Sequence, residues 1–95
     1  MKSNKLPFAD WKVGFVRVTC DNSYTTNGYT LALNNYFPYS VDAVYSTQYN
    51  TYTAWYDKAN TKLKVFDGGT EVTNGGDLTD VEFTLMVCSI GGLKD

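Results

Sequence analysis

The stretch that most constrains the fold of this chain is residues 51–69, TYTAWYDKANTKLKVFDGG. It consists of two alternating runs with a polar turn between them. The runs at residues 52–56 and 63–66 contain aromatic and aliphatic residues, and residues 57–62 between them are mostly polar. Alternation on both sides of a short polar segment is typical of a β-hairpin. The sequence therefore predicts two antiparallel strands here.

The apolar residues of this hairpin indicate its register. If Asp57 lies opposite Lys62 across a four-residue loop, the positions that precede and follow them pair in turn. Directly opposed residues point to the same face of a sheet. One face of the hairpin is then apolar, with Tyr56 opposite Leu63 and Ala54 opposite Val65, and with Tyr52 on the same side.

The opposite face of the hairpin is polar and suits water. Asp57 and Lys62 form a predicted salt bridge there, and Trp55 faces Lys64 as a predicted cation–π pair. Each pair contributes about 0.2–1 kcal/mol. A shift by one residue would exchange the two faces and separate Asp57 from Lys62, so we prefer the first register.

The rest of the chain shows short alternating runs separated by turn formers, which brings the expected total to six or seven strands. At 95 residues the chain is long enough for one domain. We expect an N-terminal arm at residues 1–10 and a single domain at residues 11–95. The fold class predicted is all-β, a small antiparallel β-sandwich of jelly-roll-like form. The further strands are expected at residues 11–20, 29–33, 41–45, 70–73 and 81–90.

The first and last of these runs show which residues face the core. In the first run the inner face is predicted to carry Val16, Val18 and Cys20. In the last run one side is apolar throughout, and the other changes from polar to apolar along the strand. We expect another sheet edge or a neighbouring subunit to cover the end of that second side. The apolar side comprises Val81, Phe83, Leu85 and Val87, and the changing side comprises Glu82, Thr84, Met86, Cys88 and Ile90.

Charge and hydropathy exclude several classes of partner. The formal net charge of −2 and the pI near 4.8 provide no basic surface for nucleic acid. No apolar run approaches the roughly 18 residues of a membrane span, and the first ten residues lack the apolar centre of a signal peptide, so synthesis in the cytoplasm is expected. Cys20 and Cys88 each lie in an alternating run, and we predict that both are free thiols.

The residues offer little for catalysis or for a bound cofactor. The chain has no histidine, which excludes catalytic triads and histidine–metal sites. A pair of carboxylates remains, for example Asp77 with Asp80 or Asp67 with Glu71. All four lie beside turns, where such groups usually accept hydrogen bonds from nearby backbone N–H groups. We therefore predict that the chain is not an enzyme and has no cofactor and no metal.

Aromatic side chains are the strongest candidates for contact with partners. Tyr36, Phe37 and Tyr39 lie in one predicted loop, residues 34–40, where they either cover an open end of the core or form an exposed contact surface. Trp55 is expected on the outer side of the hairpin. The residues predicted to contact partners are Leu6, Phe8, Tyr24, Tyr36, Phe37, Tyr39 and Trp55.

Three segments carry motifs that occur together in a known family. They are VRVTCDNSYTTNGYTL, YTAWYDKANTKLKVFDGGTEV and DLTDVEFTLMVCSIG, which span most of residues 13–91. A Ser-Tyr-x-x-x-Gly-Tyr segment, a tyrosine-rich hairpin ending in Lys-Leu-Lys-Val, and a final Asp-Leu-Thr/Ser strand resemble the head decoration, or cement, proteins of tailed bacteriophages. Trp55 departs from the pattern, which would place a polar residue there. The matching positions are Ser23, Tyr24, Gly28 and Tyr29, then Lys62, Leu63, Lys64 and Val65.

The resemblance implies a structural, non-enzymatic function. Such proteins have a jelly-roll-like sandwich, bind the outside of the capsid and typically form homotrimers that bridge capsomers. On this hypothesis the chain binds the major capsid protein, self-associates and resides on the capsid exterior of the virion after synthesis in the host cytoplasm. The alternative is a small carbohydrate- or receptor-binding module of a phage tail, fibre or head fibre, using Tyr36, Phe37, Tyr39 and Trp55.

Overall fold

The structure, a computed structural model, describes residues 12–89, which form two antiparallel sheets and one short 3₁₀ turn at Leu33–Asn35. The prediction of an all-β sandwich is confirmed. No helix in this part of the chain has the length and hydropathy needed to cross a membrane. The strands are β1 (Lys12–Thr19), β2 (Tyr29–Thr30), β3 (Ala43–Ser46), β4 (Tyr52–Asp57), β5 (Lys62–Asp67), β6 (Thr70–Glu71) and β7 (Glu82–Ser89).

The strand order gives the sandwich its jelly-roll-like character. Sheet 1 has the order β1-β7-β3, and sheet 2 has the order β2-β5-β4 with β6 also paired to β5. The chain therefore alternates between the sheets at its start and returns to sheet 1 with its last strand. That last strand pairs with β1 along its whole length, from Lys12 opposite Ser89 to Thr19 opposite Glu82.

The hairpin of β4 and β5 has the predicted register. Tyr56 lies opposite Leu63 and Ala54 opposite Val65, so the predicted apolar face points inward. Trp55 lies opposite Lys64 on the outer side. The Lys64 Nζ atom is 5.5 Å from the centroid of the Trp55 ring, which confirms the cation–π pair.

The predicted salt bridge between Asp57 and Lys62 is wrong, although the two residues are opposite each other. Lys62 Nζ instead donates to Thr30 Oγ1 at 2.7 Å, on the neighbouring strand β2. The Asp57 carboxylate accepts hydrogen bonds from Asn60 N at 3.3 Å and from Asn60 Nδ2 at 2.8 Å. An aspartate at the start of a turn readily binds an amide of the same turn, and here that bond replaces the ion pair.

The core lies between the sheets and takes its side chains from the inner face of each. The four residues predicted on the apolar side of the last strand are all buried, which confirms that face. Cys20 is buried, Cys88 is half-buried, and both are free thiols as predicted. The buried apolar residues are Cys20, Tyr24, Leu33, Tyr56, Leu63, Val65, Leu78, Val81, Phe83, Leu85 and Val87.

The strand predicted at residues 29–33 is shorter than expected. Only Tyr29–Thr30 pairs with β5, after which the chain leaves the sheet and Leu33 enters the core with no exposed surface. The Tyr56 hydroxyl stabilises this departure, because it donates to Leu31 O at 2.5 Å and accepts from Leu33 N at 3.3 Å. A tertiary contact from β4 therefore ends β2. The predicted arm, with Leu6 and Phe8, lies outside the described residues.

Candidate interaction surface

The outward side of sheet 1 presents large apolar side chains to solvent. Because side chains alternate along a strand, one face of this sheet packs on sheet 2 and the other points away from it. On the outward side Val13 is 55% exposed, Phe15 is 68% exposed and Tyr45 is 60% exposed. We call this surface the outer face of sheet 1. It comprises Val13, Phe15, Arg17 and Thr19 of β1, Ala43 and Tyr45 of β3, and Glu82, Thr84, Met86 and Cys88 of β7.

The apolar residues of the outer face form two adjacent rows across the three strands. One row is Val13, Cys88 and Ala43, and the next is Phe15, Met86 and Tyr45. In the second row the rings of Phe15 and Tyr45 come from the outer strands, and Met86 lies between them on β7. These three residues line a groove of about 260 Å³ together with Thr84, Ser46 and Thr47.

The other end of the outer face is polar and electrically balanced. Arg17 lies opposite Thr84, and Thr19 lies opposite Glu82. The Thr19 hydroxyl donates to Glu82 Oε1 at 3.4 Å. Of the ten residues of the face defined above, Arg17 and Glu82 are the charged ones, so their formal charges cancel.

The sequence prediction missed Val13, Phe15 and Tyr45 as surface candidates. The run VGFV at residues 13–16 has apolar residues on both faces of the strand, Val13 and Phe15 on one face and Val16 on the other. Such a pattern indicates a strand without a fully solvated face. The corresponding signal in the last strand, Met86 and Cys88, was recognised. Both residues are half-buried, because the side chains of the flanking strands shield them. That a further layer covers this end of β7 stays a prediction.

The aromatic loop divides between the core and the surface. Phe37 packs against the core, whereas Tyr36 is 63% exposed. Lys12 Nζ lies 5.5 Å from the centroid of the half-buried Tyr39 ring. Phe37 and Tyr39 line a cleft of about 200 Å³ beside Gly14, where any Cβ atom would overlap the Phe37 ring.

Trp55 does not belong to that cleft. It lies on the outward side of β4 in sheet 2, is 55% exposed and faces Lys64. The cleft of the aromatic loop is lined by residues of β1, of β7 and of the loop itself. The structure thus brings Phe37 and Tyr39 together but leaves Trp55 on the other sheet.

Tyr24 was predicted to contact a partner, and this prediction is wrong because the side chain is only 1% exposed. Its hydroxyl donates to Glu71 Oε2 at 2.7 Å and accepts from Val65 N at 3.2 Å. The Tyr29 ring stands edge-on to the Tyr24 ring, with centroids 5.4 Å apart. Burial, and then the bond to Glu71, raises the pKa of Tyr24 to about 12. Tyr24 therefore anchors a loop to sheet 2.

Glu71 is the half-buried carboxylate of this anchor and is expected to make the fold sensitive to acid. Hydrogen bonds from Tyr24 and then from Asn27 N lower the pKa of Glu71 from its ordinary 4.5. A lowered folded pKa means that the carboxylate stabilises the folded chain above about pH 4.5, and that this stabilisation is lost as the pH falls through the folded pKa. We expect Glu71→Gln to lower the melting temperature at neutral pH and to flatten its decline between about pH 5 and pH 2.

Circular dichroism melts across this pH range would test the role of Glu71. The matched control is Glu82→Gln, which removes an exposed carboxylate of sheet 1 outside the Tyr24 anchor. If acidification lowers the melting temperature of Glu71→Gln as steeply as that of the unmodified protein, protonation of Glu71 does not cause the acid sensitivity.

Asp77, another of the four carboxylates considered for catalysis, also serves a turn. Asp77 Oδ1 accepts from Thr79 N at 3.0 Å and from the Thr79 hydroxyl at 2.5 Å. The hydrogen bond from the hydroxyl is the main cause of a lowered pKa of Asp77. Asp77 thus has the capping role predicted for it. No group of three or more cysteine, aspartate or glutamate side chains within residues 12–89 is placed to hold a metal ion.

Comparisons with known proteins found no relative of this chain. No protein-family model, no curated protein and no solved structure matches it.

Proposed function

We propose that this chain is a non-enzymatic structural protein of a tailed-phage virion, a decoration protein that binds the major capsid protein on the capsid exterior and self-associates. The resemblance of residues 13–91 to that family provides the class of protein. Homotrimers are the oligomers that the resemblance implies.

The outer face of sheet 1 is the observation that carries this proposal. Soluble monomers rarely expose a large contiguous apolar surface, and such surfaces usually mark sites of protein association. In this chain Phe15, Tyr45 and Val13 are each more than half exposed on one side of one sheet. A protein that acts through contacts with other proteins accounts for such a surface.

The carboxylates also favour a structural role over catalysis. A glycosidase needs a general acid whose pKa is raised, so that the group is protonated at neutral pH. Hydrogen bonds hold the pKa values of Glu71 and Asp77 below their ordinary values instead. These groups therefore suit the capping of loops better than proton donation to a substrate.

The carbohydrate-binding alternative has narrower support. It requires Trp55 to act with the loop aromatics, and these lie on different parts of the sandwich. The cleft beside Phe37 and Tyr39 remains as a site for a small apolar or ring-shaped group, without the tryptophan.

The position of the protein in the virion is the direct test of the capsid role. Gly68 and Gly69 lie in an exposed turn where an added Cβ meets no atom within 4 Å, so a short epitope can be inserted between them. We expect immunogold to label phage heads in a regular pattern. Unlabelled virions control for background, and gold confined to tails or fibres would overturn the proposal.

A further inference from the structure

We propose that the outer face of sheet 1 is a self-association surface and that its occupant is a second copy of this chain. The proposal rests on the self-association part of the proposed function and does not involve the capsid. It assigns that contact to named residues, chiefly Phe15, Tyr45 and Met86.

The shape of the outer face suits a copy of itself. Two exposed rings, Phe15 and Tyr45, protrude from β1 and β3, and the groove between them passes over Met86. One surface thus carries both a projecting side chain and a recess that can receive one. Contacts between like surfaces in a symmetric oligomer require this self-complementarity.

The charge of the outer face points to the same occupant. A face with several charges of one sign would repel its own copy, whereas a strongly basic face would favour nucleic acid or an anionic membrane. Here the charges of Arg17 and Glu82 cancel, and both residues lie at the polar end, outside the rows of Phe15 and Val13. Two copies can therefore bring their apolar rows together without opposing like charges.

The arrangement of layers shows how the contact would be built. Sheet 1 already packs its inner face on sheet 2, with Phe83 and Leu85 fully buried between them. Packing the outer face against another sheet 1 would repeat the same face-to-face contact, in which sheets lie about 10 Å apart. Met86 and Cys88, half-buried in one copy, would then become buried.

The mass of the purified full-length chain in solution tests this contact without any capsid. Light scattering coupled to size exclusion is measured from about 1 to 100 µM, where associations of micromolar affinity become visible. A face packed on its own copy is a two-fold contact that closes as a dimer, so we expect a dimer of the 10.6 kDa chain. A monomer throughout this range would overturn the proposal, and so would a closed trimer, because a ring of three copies uses two different surfaces on each copy.

Substitutions assign the contact to the outer face. Phe15→Thr combined with Tyr45→Thr removes both rings and keeps residues that favour strands. We expect this double variant to be monomeric at concentrations where the unmodified chain is an oligomer. The matched control is Trp55→Thr, which removes a similarly exposed ring from sheet 2 and should leave the oligomer intact. A folded double variant with unchanged mass would contradict the assignment.

Thiol labelling provides a second readout that needs no substitution. Cys88 lies on the outer face beside Val13, and the buried Cys20 serves as an internal control. Alkylation of each thiol by iodoacetamide is followed by mass spectrometry of peptides. We expect Cys88 to react several-fold more slowly as the protein concentration rises into the oligomeric range. A rate for Cys88 that is independent of concentration while the oligomer forms would place the contact elsewhere.

The experiments can overturn either proposal and leave the other standing. If the isolated chain associates through the outer face but virion heads carry no label, the capsid role falls and this surface stands. If heads are labelled but the isolated chain is monomeric, this assignment falls and the capsid role stands.

Discussion

Gly28→Ala is expected to lower the free energy of unfolding by about 2–4 kcal/mol. Gly28 has a φ of +109°, a conformation that residues with a side chain rarely adopt. A Cβ atom there would lie 2.6 Å from Leu63 O, which belongs to the backbone of β5, a strand with neighbours on both sides in sheet 2. Leu63 is fully buried and paired on both sides, so it has little room to move. Urea denaturation followed by tryptophan fluorescence would measure the loss.

Gly69→Ala separates backbone strain from the clash. Gly69 also has a positive φ, +91°, but an added Cβ atom there has no neighbour within 4 Å. We expect a cost of about 1 kcal/mol, which is the strain of a left-handed alanine alone. If both variants lost the same free energy of unfolding, the close approach of Gly28 to Leu63 would not constrain the fold.

Tyr24→Ala is expected to cost about 3–5 kcal/mol, as do other truncations of large buried aromatic residues. The ring fills the core under the loop at residues 21–28, and its hydroxyl joins Glu71 to Val65 N. Tyr24→Phe keeps most of the packing but leaves the Val65 N–H without this partner. Its expected cost is about 1–3 kcal/mol.

Chemical denaturation of both Tyr24 variants is compared with that of Tyr36→Ala. Tyr36 is 63% exposed, so its truncation should change the free energy of unfolding by no more than about 0.5 kcal/mol. If Tyr24→Phe were as stable as the unmodified protein, the hydroxyl would contribute nothing, and the loop would depend on ring packing alone.

Local patterns in the sequence predicted the local parts of this fold. The β4–β5 register followed from alternation and a single turn, because all its determinants lie within twenty residues or so of one another. The end of β2 was not predictable in the same way. It depends on the hydroxyl of Tyr56, a residue more than twenty positions further along the chain.

The candidate surface shows a related limit. Alternation identifies which residues share a face, but it does not say which of two apolar faces will meet the other sheet. Val16 and Val18 were correctly expected inside, yet Phe15 on the same strand gave no sign of how exposed it would be. The prediction for Tyr24 was wrong in the opposite sense, because this residue was expected at the surface and is buried. Its neighbours are turn formers, which suggests exposure, but distant groups on β5 and β6 bury it.

The neighbouring positions of the first and last strands have a consequence for how the protein forms during translation. β7 is the central strand of sheet 1, so β1 and β3 both lack their pairing partner until β7 has been made. Pairings between distant segments form slowly, because a long loop must close first. The β4–β5 hairpin can form early on the nascent chain. Until β7 is made, β1 has no strand to pair with and its apolar side chains stay exposed. During that interval the unpaired edge and the apolar side of β1 make the ribosome-bound chain prone to aggregation.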